Sequence, residues 1–242
     1  MLLLKKRITI EWEKVIFPVL FLLLAILAYF NLMILNNTSP GKILQTALQK
    51  MERNNSRLEM EILERGQAYK IDFQGDFKNK AIYGRLPAYG LEVYKHASGA
   101  LFVKDLKDGL WKKAPELELQ SLEKFFVSPF ELLTTWSHLF NNAKFVNYAE
   151  EKEKVILLNI PATELDKKTF LQSYPQSHFS RLECLIFLEP DDLFINQIVL
   201  SLHDNQEMES VFARTFSFKY STENINEIMP AGVEQLLKDI TL

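Results

Sequence analysis

The spacing of apolar and polar residues changes along the chain, and each spacing predicts a different element. Residues Val15–Leu35 read VIFPVLFLLLAILAYFNLMIL, 21 positions without a charge. As a helix rising about 1.5 Å per residue they reach about 31 Å, the hydrocarbon thickness of a bilayer. A second helix is expected from Pro40, because Leu44, Ala47, Leu48 and Met51 recur at i, i+3, i+4, i+7 behind a capping Ser39. The period then falls to two. Leu58, Met60 and Ile62 alternate with Glu59, Glu61 and Leu63, and Tyr69, Ile71, Phe73, Gly75 and Phe77 alternate with Lys70, Asp72, Gln74 and Asp76. Shorter strands are expected over Ala81–Leu86, Gly90–His96, Ala100–Asp105 and Leu110–Lys113. Glycines at 66, 75, 84, 90, 99 and 109 punctuate them as in a meander, Gly75 and Gly84 as bends that curl the sheet.

A helical interlude follows. Leu119, Leu122, Phe125 and Phe126 suggest a short helix, and Ser128-Pro129-Phe130-Glu131 is a capping box opening another, with Phe130, Leu133, Trp136 and Phe140 along one side. Strands resume at Lys144–Ala149 and Lys154–Ile160. A short helix is expected around Glu164–Gln172, then strands at Leu182–Leu188, Phe194–Leu202 and Val211–Tyr220. Val233, Leu236, Leu237 and Ile240 form a closing amphipathic helix. The prediction is an α+β domain: a large antiparallel sheet of some eight to eleven strands whose apolar face is covered by helices, preceded by one transmembrane helix.

Flanking charge orients that helix. Lys5, Lys6, Arg7 and Lys14 precede it and the first cation after it is Lys42, so the positive-inside rule keeps residues 1–14 cytoplasmic and exports residues 36–242. The apolar run is longer than a signal peptide's core and no A-x-A site follows it, so residues 15–35 are expected to stay as a single-pass signal anchor in the cell membrane. The sole cysteine, Cys184, is far from the run, which excludes a lipoprotein anchor there. From Pro40 onward 24 basic residues face 29 acidic ones, a mildly negative balance, and the near-neutral charge of the whole chain argues against nucleic acid as the main partner. No phosphate-binding glycine loop occurs.

Candidate chemistry is sparse. Cys184 and His178 lie six apart, with the cysteine inside an apolar strand; His203, Asp204, Glu207 and Glu209 crowd a turn without diagnostic ligand spacing. No carboxylate is read as interrupting an apolar strand in a way that suggests a perturbed catalytic pair. No catalytic residue, metal or cofactor is therefore expected. The aromatic load is the suggestive feature, with 18 Phe, 8 Tyr and 3 Trp in 242 residues. Such rings either line an apolar pocket or fill a solid core.

Four segments in order carry a resemblance: YKIDFQGDFKNKAIYGRL as early paired strands, LFVKDLKDGLWKK as a hairpin ending in Trp111 and Lys112, LEKFFVSPFELL as a helical lid, and LECLIFLEPDDLFINQIVLSL as a late hairpin. Their succession over most of residues 42–230 resembles the extracytoplasmic lipid-carrier superfamily of LolA, LolB and the LppX/LprG lipoproteins, with the related sensor domain of RseB. The resemblance implies a curled half-barrel covered by helices, a cavity for acyl chains and no catalytic residues. It would place Phe73, Phe77, Trp111, Phe126, Phe130, Leu133, Trp136, Phe140 and Phe216 in the cavity and lid, the lid being Leu119–Asn142. The expected partner is a lipid or other apolar ligand, handled locally because the domain is tethered. The alternative is an assembly module with a solid core, no ligand and an envelope protein as partner.

Overall fold

The computed structural model describes residues 21–27, 39–54, 56–66, 69–147, 154–165, 179–204, 210–221 and 228–238. Residues 21–27 are helical (α1), and Phe21, Leu22, Leu23, Leu24, Ile26 and Leu27 are exposed. The rest of the expected anchor lies outside the described residues. Among those described, no helix is long and apolar enough to cross a membrane.

Among the described residues eleven strands join one antiparallel sheet: β1 (Leu58–Gly66), β2 (Lys70–Lys78), β3 (Ala81–Leu86), β4 (Leu91–Lys95), β5 (Leu101–Asp105), β6 (Trp111–Lys113), β7 (Lys144–Val146), β8 (Lys154–Pro161), β9 (Phe179–Leu188), β10 (Ile195–Asp204) and β11 (Ser210–Tyr220). Their spatial order is β6-β5-β4-β3-β2-β1-β11-β10-β9-β8-β7. Two meanders are thus zipped together where β1 meets β11, with Ile62 opposite Phe216 and Met60 opposite Phe218. The sheet curls without closing. Its curl has a local cause: Gly75 and Gly84 face each other across β2 and β3. A Cβ on either would come 2.7 Å from Phe73 Cζ and closer still to the opposing backbone. Two missing side chains let the Phe73 ring lie against the sheet itself.

Helices cover the inner face. They are α2 (Pro40–Arg53), α3 (Ser121–Phe125) and α4 (Pro129–Thr135), followed by a 3₁₀ segment at Ser137–Asn142. α2 buries the predicted stripe Leu44, Ala47, Leu48 and Met51. Its start presses on the 3₁₀ segment so closely that a Cβ at Gly41 would strike the Phe140 carbonyl. The inner core runs from these helices across every strand from β1 to β5 and β8 to β11. The closing helix α5 (Val233–Lys238) packs instead on the outer face, where Val233 and Ile228 bury Ala81, Tyr94 and Phe102.

Four sequence expectations need correction or qualification. α4 begins at Pro129 as the capping box requires, but the Ser128 side chain makes no capping hydrogen bond. β7 stops at Val146, short of Ala149. The helix expected around Glu164–Gln172 is a 3₁₀ turn at Ala162–Glu164 where described, the remainder lying outside the described residues. Trp111 sits with Tyr83 and α5 on the outer face, away from the other eight residues expected at a cavity. A three-residue strand is too short for alternation to fix its face.

Candidate functional site

Alternation along β1, β2 and β11 turns Ile62, Phe73, Phe77, Phe216 and Phe218 toward the helices. The helices answer with Phe125 and Phe126 from α3 and its end, and Phe130 and Leu133 from α4. The rings interlock edge to face: Phe73 on Phe126 at 4.9 Å, Phe77 on Phe130 at 5.4 Å and Phe125 on Phe126 at 4.8 Å between centroids. Phe130 also leans on Phe218 at 4.9 Å. Such contacts add about 0.5–1.5 kcal/mol each beyond area burial. Of the nine residues predicted for a cavity and lid, eight join this one cluster: Phe73, Phe77, Phe126, Phe130, Leu133, Trp136, Phe140 and Phe216. They are packed against one another, so the space between sheet and cover is filled here by side chains.

At one end of that space the packing gives way to a cleft of about 560 Å³. Its floor is Met51, Phe77 and Phe130. Its rim is polar, with Glu52 and Asn54 at the end of α2, Asn79 and Lys80 in the β2–β3 turn, and Ser128, Glu131, Thr134 and Thr135 on α4. Asn79 and Lys80 both adopt positive φ, 49° and 66°, so the turn presents its side chains from a tight reversal. Lys80 Nζ stands 3.8 Å from Glu131 Oε1, and the Thr134 hydroxyl donates to Glu52 Oε1 at 2.9 Å. Two buried polar atoms on this rim have no partner: Ser128 Oγ and Asn54 Nδ2.

At the other end the inner face carries charge. Glu64 continues the buried side of β1 and Arg214 that of β11, and they are direct cross-strand partners, 6% and 3% exposed. Arg214 Nε donates to Glu64 Oε2 at 2.6 Å, and Nη2 contacts the same oxygen. The second carboxylate oxygen accepts the Tyr69 hydroxyl at 2.8 Å. Arg214 Nη1 donates to the Lys124 carbonyl at 3.1 Å, and the guanidinium lies 5.4 Å from the Phe125 ring centre and 5.6 Å from that of Phe212. From β4, Lys95 Nζ donates to the Phe126 carbonyl at 2.7 Å, and burial pulls its ammonium below the ordinary lysine range. Two cations, from β11 and β4, therefore hold the carbonyls of Lys124 and of the C-cap Phe126 at the end of α3, acceptors a helix leaves unpaired.

This pair qualifies the expectation about inward carboxylates: Glu64 does stand on an apolar strand face, held there as the partner of Arg214. The signal is present in the alternation Leu58-Met60-Ile62-Glu64 and its counterpart Phe212-Arg214-Phe216-Phe218, each placing one charge on an apolar face. Asn54 and Ser128 carry no such signal, since both sit at helix ends where small polar residues ordinarily cap. Of the chemical constellations, Cys184 is wholly buried, and burial pushes its thiol far above the ordinary range. His178, Glu207 and Glu209 fall outside the described residues, and no group of three metal-ligating side chains forms among those described.

No family model matches the chain, and no curated protein matches it in sequence. In fold it is similar to a DUF1329 family protein from Desulfovibrio piger, with 10% identity and a TM-score of 0.33 over 81% of this chain and 99% of that one. It is also similar to a putative outer membrane lipoprotein-sorting protein domain from Vibrio parahaemolyticus, with 8% identity and a TM-score of 0.34 over 83% and 97%. Both likenesses are of fold alone.

Proposed function

We propose that the chain is a membrane-anchored, extracytoplasmic lipid-binding domain. It takes an apolar chain between the sheet and its helical cover, for local lipid handling or envelope sensing. One observation carries this reading: the cleft has an apolar floor of Met51, Phe77 and Phe130 that is continuous with the aromatic core. A chain entering there meets rings in mutual contact, so it must part Phe130 from Phe77 and Phe218 and lift α4. The binding is non-catalytic. Each methylene removed from water contributes about 0.8 kcal/mol, so a long acyl chain can offset the aromatic contacts it displaces. The uncharged run at residues 15–35 keeps the domain beside a reservoir of such chains.

The filled aromatic core favours a second reading, a non-catalytic interaction module without a ligand and with an envelope protein as partner. One experiment separates the two. The full-length protein is reconstituted in vesicles containing a phospholipid with a photoactivatable diazirine in its acyl chain, irradiated and mapped by peptide mass spectrometry. Adducts on Met51, Phe77 or Phe130 are the expected result. Adducts confined to residues 15–35 would sink the lipid reading and leave the interaction module.

A further inference from the structure

We infer that the rim of the cleft recognises a neutral carbonyl, the ester or amide that joins an acyl chain to its head group. This rests on the lipid-binding reading and specifies the class of lipid. Ser128 is 3% exposed, and its hydroxyl neither caps α4 nor meets any other described group. Asn54 is oriented by its own oxygen, which accepts the Ser56 backbone N–H at 2.9 Å. That bond turns the amide nitrogen away, and the nitrogen is buried without a partner. Both residues line the cleft. A buried polar group left unpaired is costly and uncommon in a folded protein. Both atoms are sealed from solvent while α4 lies shut on the sheet, so each meets a partner only when an entering chain lifts α4.

The chemistry of that partner follows from the two unpaired atoms. An amide nitrogen only donates, and a serine hydroxyl can donate, so an acceptor oxygen suits either. The rim's charge then chooses among acceptors. Glu52 and Glu131 face a single ammonium, Lys80, which already stands by Glu131. A free carboxylate or a phosphate would enter an excess of negative charge, whereas an uncharged carbonyl would not. Directly below lie Met51, Phe77 and Phe130, ready for the hydrocarbon attached to that carbonyl.

The test uses the full-length protein in phosphatidylcholine vesicles and three diazirine probes of equal chain length. They are a monoacylglycerol ester, the glycerol ether lacking the carbonyl, and the free fatty acid. The ester is expected to label the cleft about tenfold more than the ether, the loss of one to two neutral hydrogen bonds. Ser128→Ala should lower ester labelling about fivefold and leave ether labelling unchanged, with unfolding temperature as the check on folding. Equal labelling of the cleft by ester and ether, or strongest labelling by the fatty acid, would overturn the inference while sparing lipid binding. Failure of every probe to reach the cleft would overturn both.

Discussion

The two ends of the inner face solve the problem of buried polarity in opposite ways. Leu58, opposite Phe77, and Glu64, opposite Ile71, are six residues apart on β1, about 20 Å along the strand. At the Glu64 end every polar group is answered. Carboxylate, guanidinium, phenol and the Lys124 carbonyl form one closed set, with aromatic faces beside the cation. At the Phe77 end Ser128 Oγ and Asn54 Nδ2 are left over. A satisfied network rigidifies what it joins, and an unsatisfied one costs stability until something fills it. The cover is held differently at the two ends: α3 is clasped to the sheet by Arg214 and Lys95, while α4, packed through its rings, borders the mouth of the cleft. A cover opened by a ligand should lift at α4 and pivot at α3.

The largest expected effect breaks the clasp. Arg214→Ala strands the Glu64 carboxylate in the interior and should cost about 3–5 kcal/mol. That corresponds to roughly 10 °C of unfolding temperature for a chain of this length. A loss below about 1 kcal/mol would mean that the pair is solvated in solution and that α3 is no firmer than α4. Tyr69→Phe removes a single hydrogen bond to the same carboxylate. Tyr69 is 38% exposed, so water can replace the phenol in part, and the loss should be about 1 kcal/mol. Urea denaturation of both variants checks whether the clasp loosens in that order.

Much of this comparison is legible in the sequence, and the reasons differ by element. Period-two alternation fixes which residues share a face, so Phe73 shares one with Phe77, and Phe216 one with Phe218, by their spacing alone. The same alternation marks Glu64 and Arg214 as inward charges. Only their pairing is hidden, because β1 and β11 meet across nearly the whole domain and no local rule sets that register. The paired glycines belong to a local hairpin, which is why Gly75 and Gly84 read as bends. Trp111 escapes correct placement because the outer-face helix that covers it comes from residues far down the chain. The mouth is the least legible part. Its two orphaned groups are defined by partners they lack, and a serine before Pro129 reads as a helix cap.

That ambiguity makes the smallest expected effect the sharpest. A serine N-cap replaced by alanine ordinarily costs about 0.5–2 kcal/mol, because the side-chain oxygen satisfies a free backbone N–H of the first turn. Ser128 occupies the N-cap position of α4, yet its hydroxyl makes no such bond. With Oγ buried and unpartnered, its removal takes away a desolvated group and nothing else. Ser128→Ala should therefore leave the unliganded protein unchanged or raise its stability by up to about 1 kcal/mol, where the clasp mutants lower it. Chemical denaturation of the delipidated full-length protein in detergent measures the sign directly. A loss of about 1 kcal/mol would place the hydroxyl back on the helix as a cap, and the mouth would then be closed and satisfied like the clasp. A neutral or positive change leaves it unpartnered beside the cleft, as its burial without a hydrogen bond implies.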